Sequence, residues 1–112
     1  MKKIEAVIRP EKLNVVRKAL DEVGSPGLMI NEIEGYGKQK GLTRLWRGKE
    51  YKLELLPKVK IEIVVHDNVV EKIMNAIAES AATGNIGDGK IFVYPVDDAM
   101  RIRTRERGDL AI

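Results

Sequence analysis

The chain has 112 residues, with 20 Lys and Arg against 17 Asp and Glu, one His and no Cys. That length fits one domain with one sizeable core. Without Cys, a disulfide scaffold, a thiolate zinc site and a Cys nucleophile are excluded, and His66 alone cannot build a multi-His metal site.

Lys2 to Arg9 reads as a first strand, in which Ile4, Ala6 and Ile8 alternate with Glu5, Val7 and Arg9. Pro10 then opens a helix expected over Glu11 to Val23, with Leu13, Val16, Leu20 and Val23 on one face and Gly24 as its stop. A second strand is expected over Met29 to Glu34. A third covers Val59 to Val65, where Val59, Ile61, Ile63 and Val65 alternate with Lys60 and Glu62. Asn68 and Glu71 have the spacing of a capping box, and Val70, Ile73, Ile77 and Ala81 mark the buried face of a second helix ending near Thr83 and Gly84. Lys90 to Val96 is the fourth strand.

The order βαββαβ predicts an α+β, ferredoxin-like sandwich with both helices on one sheet face. Val7 beside Ile8, Val64 beside Ile63 and Phe92 beside Ile91 place apolar groups on the other face as well. One helical layer cannot bury both faces, so a homo-oligomer is expected. Between strands two and three, Lys38 to Leu55 has no sustained periodicity and is expected to be a long loop, of the kind that is usually functional or disordered.

Charge is unevenly distributed. Residues 38 to 60 carry eight basic side chains (Lys38, Lys40, Arg44, Arg47, Lys49, Lys52, Lys58, Lys60) against Glu50 and Glu54. A second basic stretch holds Arg101, Arg103, Arg105 and Arg107 against Glu106 and Asp109. Both are candidate anion-binding segments. Arg101 and Arg103, two apart on a segment read as extended, would project from one face and clamp a phosphate.

Thr83 to Lys90, TGNIGDGK, sets three glycines and a lysine between helix two and strand four. Glycine permits backbone conformations that aim successive N–H groups at one anion. Gly84 to Lys90 fits the spacing GxxxxGK of a P-loop, yet Ile91 replaces the Ser or Thr that would hold Mg2+, and the segment leaves a helix instead of entering one. A nest backed by Lys90 and suited to polyphosphate is the expectation. Gly35 to Gly41, GYGKQKG, adds a second donor-rich stretch without the spacing of a dinucleotide fingerprint.

These residues resemble the PII family of nitrogen-regulatory signalling proteins, of the GlnB and GlnK type and most like GlnK. The resemblance rests on TGNIGDGKIFVYPV (83–96), with IRPEKL (8–13), GYGKQKG (35–41), LPKVKIEIVV (56–65) and RIRT (101–104), and it covers essentially the whole chain. It implies a single domain over residues 1–112, with a T-loop at about 37–55, a phosphate-binding loop at about 82–90 and a C-terminal Arg segment at about 101–108. It further implies a homotrimer whose clefts between subunits bind ATP or ADP, with 2-oxoglutarate beside Mg-ATP.

Carried over residue by residue, the resemblance assigns nucleotide binding to Gly35, Gly37, Lys38, Gln39, Gly87, Asp88, Gly89, Lys90, Arg101 and Arg103. Leu28, Met29, Glu62 and Val64 would border adenine and ribose. The Gln39 amide would help hold Mg2+, Lys58 would pair with a 2-oxoglutarate carboxylate, and Lys40, Gly41 and Gly87 would complete that site with Gln39. Oxygen ligation of a phosphate-bridged Mg2+ is chemically consistent with this set. Arg47 in the T-loop would reach into an ammonium transporter, the expected partner, with nitrogen-metabolism enzymes as further partners.

One motif and two single positions depart from the family pattern. The modification motif reads Trp46-Arg47-Gly48-Lys49-Glu50-Tyr51, keeping Tyr51 for uridylylation or adenylylation in altered surroundings. Met29 stands where Thr is common, and Lys38 where Arg is common.

An RNA-binding domain shares the βαββαβ order, but it stacks bases on aromatics in strands one and three, where this chain has none. A phosphotransfer enzyme needs a nucleophile and base pair that is not evident, so binding without turnover is expected, with no nucleic-acid partner. No apolar run approaches the roughly 18 residues that span a bilayer, and MKKIEAVIRPEK has no apolar signal region. The expectation is a cytoplasmic protein that meets the membrane only through a transporter. Its many Lys, Glu, Ile and Val lean towards a thermophile.

Overall fold

A computed structural model describes residues 1–36, 43–46, 49–52 and 55–112. Strands β1 (Lys2–Ile8), β2 (Met29–Tyr36), β5 (Leu55–Val65) and β6 (Gly89–Pro95) form one antiparallel sheet in the order β2-β5-β1-β6. Helices α1 (Leu13–Glu22) and α2 (Val70–Ala81) complete a ferredoxin-like sandwich. The short strands β3 (Thr43–Trp46) and β4 (Lys49–Lys52) pair with each other as a separate hairpin.

The core follows from the two periods in the sequence. Every second residue of β1 and β5 is buried: Ile4, Ala6 and Ile8 on one, Val59, Ile61, Ile63 and Val65 on the other. Val16 and Leu20 of α1 and Ile73, Ile77 and Ala81 of α2, spaced by four, pack onto them. Burying each of these larger aliphatic side chains contributes about 1.5–3 kcal/mol before conformational entropy is subtracted.

Helix α1 ends in a Schellman motif. Gly24 adopts φ +71°, its N–H donates to the Asp21 carbonyl, and Ser25 N–H donates to the Leu20 carbonyl. At the start, Pro10–Lys12 form a 3-10 turn, so the regular helix begins at Leu13, later than expected. The capping box expected at Asn68 is not formed. Asp67–Val69 make a 3-10 turn instead, which shifts the helix start to Val70, with Val69 at the cap and no side-chain cap bond.

Strand β5 starts four residues earlier than the alternation suggests, because Leu55, Leu56 and Pro57 pair with Tyr36, Gly35 and Glu34 of β2. Pro57 is tolerated there because β1 stops at Ile8, opposite Val59, leaving the other side of β5 without a β1 neighbour at Pro57. The hairpin β3–β4 also corrects the expectation that 38–55 is irregular throughout. Its four-residue strands are too short to establish a period.

The second sheet face is mixed. By register it carries Lys3, Glu5 and Val7 of β1, Lys58, Lys60, Glu62 and Val64 of β5, Phe92 and Tyr94 of β6, and Met29 of β2. Lys3 lies 3.9 Å from both Glu5 and Glu62 and 4.7 Å from the Tyr94 ring centre. Phe92, Tyr94 and Met29 are exposed.

Candidate functional site

The site is a corner of the sheet where β1 ends, β5 passes and β6 begins. Val7 stands between Lys60 of β5 and Lys90 of β6, and Ile8 between Val59 and Gly89. Side chains alternate along each strand, so Lys58, Lys60 and Lys90 share one face with Val7 at this corner.

The loop from α2 to β6 closes over that corner. Gly89, at φ +106°, brings the chain so near β1 that a Cβ there would lie 1.7 Å from the Val7 carbonyl oxygen. Only glycine fits. Gly84 and Gly87 also have positive φ, at +86° and +101°.

Asp88 organises the loop from inside. Its carboxylate accepts the Thr83 N–H at 2.8 Å, the Gly84 N–H at 2.9 Å and the Thr83 hydroxyl. Arg9, just past β1, donates Nε to Asp88 at 3.0 Å and an NH2 hydrogen to the Ile86 carbonyl at 2.8 Å. The Thr83 hydroxyl and N–H, with Arg9 and the Gly84 N–H, hold the Asp88 carboxyl far below the usual carboxylate range.

Lys58, buried among these elements, donates Nζ to the Gly87 carbonyl at 2.6 Å. Burial lowers its pKa, and the charge of Arg9 lowers it further. Gly35 lies against the Lys58 stem, where a Cβ would approach Cγ to 2.7 Å. A cavity of about 290 Å³ opens beside the loop, lined in part by Ile8, Ala81, Asp88, Gly89 and Lys90.

The residues expected to border a base lie elsewhere. Met29 of β2 is directly opposite Glu62 of β5, with Val64 two residues further along the same face and Leu28 packed against the core. Lys58 and Val64 are six residues apart on β5, about 20 Å along an extended strand. One chain therefore spreads these residues along one face, from Glu62, ion-paired at 3.3 Å with Lys60 of the corner, to Val64 beyond it.

The C-terminal Arg segment is not extended. Arg105 N–H donates to the Arg101 carbonyl at 2.7 Å and Arg101 N–H to the Glu106 carbonyl at 2.9 Å, closing a turn, and Met100 bridges Arg107. Glu106 drives this geometry, accepting from Arg101 at 3.1 Å and from the Thr104 hydroxyl at 2.8 Å, with Arg105 at φ +64°. Arg101 and Arg103 therefore do not share a strand face, and Arg103 sits exposed in the turn. His66 is an exposed side chain whose Nδ1 lies 3.9 Å from Asp109.

Gly37, Lys38, Gln39, Lys40, Gly41 and Arg47 lie outside the described residues, as does the side chain of Tyr51. Arg9 is the site residue that sequence reading missed. It reads as the polar member of a strand end, and only the β1–β6 register brings it to Asp88. Among the described residues no cluster of three or more His, Asp or Glu could hold a metal, and no helix is long and apolar enough to cross a membrane.

A sequence profile described as "Nitrogen regulatory protein P-II" matches residues 1–106, spanning every strand and both helices. The chain belongs to the P-II family. It is 56% identical over 112 residues to the nitrogen regulatory protein P-II of Rhodospirillum rubrum and 55% identical to those of Haemophilus influenzae and Escherichia coli, the last named P-II 1. Each of these alignments covers all of both chains. The family places this P-II protein in nitrogen regulation, as a signalling protein, on the fold that its sequence pattern predicts.

Proposed function

We propose that this P-II protein is a non-catalytic sensor of nitrogen, energy and carbon status. It binds ATP or ADP and, with Mg-ATP, 2-oxoglutarate, and it regulates partners through residues 37–55. The observation that carries this reading is the loop Thr83–Gly89, whose glycine conformations, internal Asp88 anchor and surrounding Arg9, Lys58 and Lys90 make a backbone cradle set in positive charge. Such a cradle suits a polyphosphate, each charge-assisted hydrogen bond contributing about 1.5–3 kcal/mol before ordering costs.

Phosphates would rest on Gly87, Asp88, Gly89 and Lys90, with Gly35, Gly37, Lys38 and Gln39 nearby and Arg101 and Arg103 approaching. Leu28, Met29, Glu62 and Val64 would border the base. The exposed Phe92, Tyr94 and Met29 on the same face support its burial against further copies in a homotrimer, which would complete the site. Mg2+ would be held by phosphate oxygens and Gln39. 2-Oxoglutarate would pair with Lys58 and take donors from Gln39, Lys40, Gly41 and Gly87.

Arg47 would engage the partner, an ammonium transporter, which would bring a cytoplasmic protein to the membrane. Population shift between loop states with ligand is the mechanism. Calorimetric titration with Mg-ATP and then 2-oxoglutarate tests the sensor reading. Nucleotide should bind alone and 2-oxoglutarate only after it, and absence of ATP binding at millimolar concentration would sink the reading.

A further inference from the structure

The carboxylate of Asp88 presents a puzzle at an anion site, because a negative charge beside phosphates should repel them. Its hydrogen bonds resolve it. They run to Thr83 and Gly84 within the loop and to Arg9 at the end of β1, so the charge is taken up by the protein's own donors.

The same arrangement sets peptide planes. Arg9 takes the Ile86 carbonyl and Lys58 takes the Gly87 carbonyl. In a trans peptide the N–H points opposite to the C=O, so the N–H groups of Gly87 and Asp88 are turned away from Arg9 and Lys58. Among the described residues, the two ties that fix this orientation converge on Asp88 and Arg9 from one side and on Lys58 from the other.

We propose that Asp88 and Arg9 form a positioning pair: the carboxylate anchors the loop ends at Thr83 and Gly84, Arg9 locks that carboxylate and the 86–87 peptide together, and the Gly87 and Asp88 N–H groups thereby face the phosphates. Arg9 acts through Asp88 and is not itself the phosphate ligand. This rests on the reading of the loop as a phosphate site.

The signs of the two interpretations differ. If Asp88 were merely a nearby charge, Asp88→Asn would strengthen nucleotide binding by removing repulsion. As an anchor, its neutralisation weakens ATP binding by about tenfold or more, since a charged acceptor of several hydrogen bonds is lost. Arg9→Gln should do the same. The double variant should lose no more than the worse single variant, because both changes release one unit.

The test is calorimetric titration of wild type, Asp88→Asn, Arg9→Gln and the double variant with ATP, ADP and AMP, alongside melting curves. The expected result is a loss that grows with phosphate number and does not add in the double variant, in proteins that still melt cooperatively. Asp88→Asn retains an acceptor oxygen and Arg9→Lys retains the charge, so these two keep the test open if Arg9→Gln does not fold. Unchanged or tighter ATP binding by Asp88→Asn, equal loss for all three nucleotides, or additive losses would overturn the positioning pair while leaving the phosphate site standing. Wild-type protein that binds none of the three would instead remove the site, and the pair with it.

Discussion

Lys58 Nζ lies 2.6 Å from the carbonyl oxygen of Gly87, joining the middle of the sheet to the loop that leaves α2. The bond fixes one peptide plane of the cradle, and it costs the burial of an ammonium group, which lowers the pKa of Lys58.

Replacing Lys58 with Met separates these effects. Loss of the charged hydrogen bond, about 1.5–3 kcal/mol, is offset by relief of desolvation and by the retained apolar stem. The melting temperature should therefore move by only a few degrees, while amide exchange at Gly87–Gly89 accelerates and 2-oxoglutarate binding disappears. A large drop in melting temperature without faster exchange in the loop would contradict the tie.

Gly89→Ala is expected to be severe. The added Cβ would meet a main-chain oxygen of Val7 that cannot rotate away, at a φ of +106° that alanine rarely adopts. Strain and clash together should cost about 3 kcal/mol or more, on the order of 10 °C in melting temperature for a domain of this size. A thermal melt within 2–3 °C of wild type, a margin on the order of 0.5 kcal/mol, would show that the loop can move off β1 freely.

Lys90→Ala is expected to act on binding alone. Its exposed side chain lies beside Val7 on the site face, outside the buried core, so stability should hold. Nucleotide affinity should fall about 10 to 100-fold, as for loss of one charge-assisted phosphate contact. Unchanged affinity in a titration removes Lys90 from the site.

Acid should spare the Asp88 anchor longer than ordinary carboxylates. Its folded pKa is depressed below the ordinary 3.8, so its stabilising contribution is complete above that value and is lost only as pH falls through the depressed value. Carboxyl NMR titration should find Asp88 still ionised at a pH where solvated Asp side chains are half protonated. A midpoint at or above the ordinary value would mean that the Thr83 and Arg9 bonds are not maintained in solution.

Local pattern carried much of the fold. The alternation of Ile4, Ala6 and Ile8, the spacing of four in Ile73, Ile77 and Ala81, and the Gly24 stop each report a short-range geometric rule, and all of them hold in the structure. The glycine loop was legible for the same reason, because positive φ is a local property that selects glycine.

Long-range register was not legible. The third strand read as starting at Val59, until pairing with β2 extended it back through Pro57 to Leu55, and Arg101 and Arg103 read as neighbours on an extended segment, until Glu106 folded Arg101 back into a turn. Arg9 and Asp88 are 79 residues apart, and nothing local joins them. The sequence by itself determined the four sheet strands, the two helices and the buried core, because these follow local periods. Only the tertiary structure decided which charges pair with one another and which, like Asp88 with Arg9 and Lys58 with Gly87, tie the glycine loop to the sheet, because a charge takes its role from the partners that long-range pairing brings within hydrogen-bond reach.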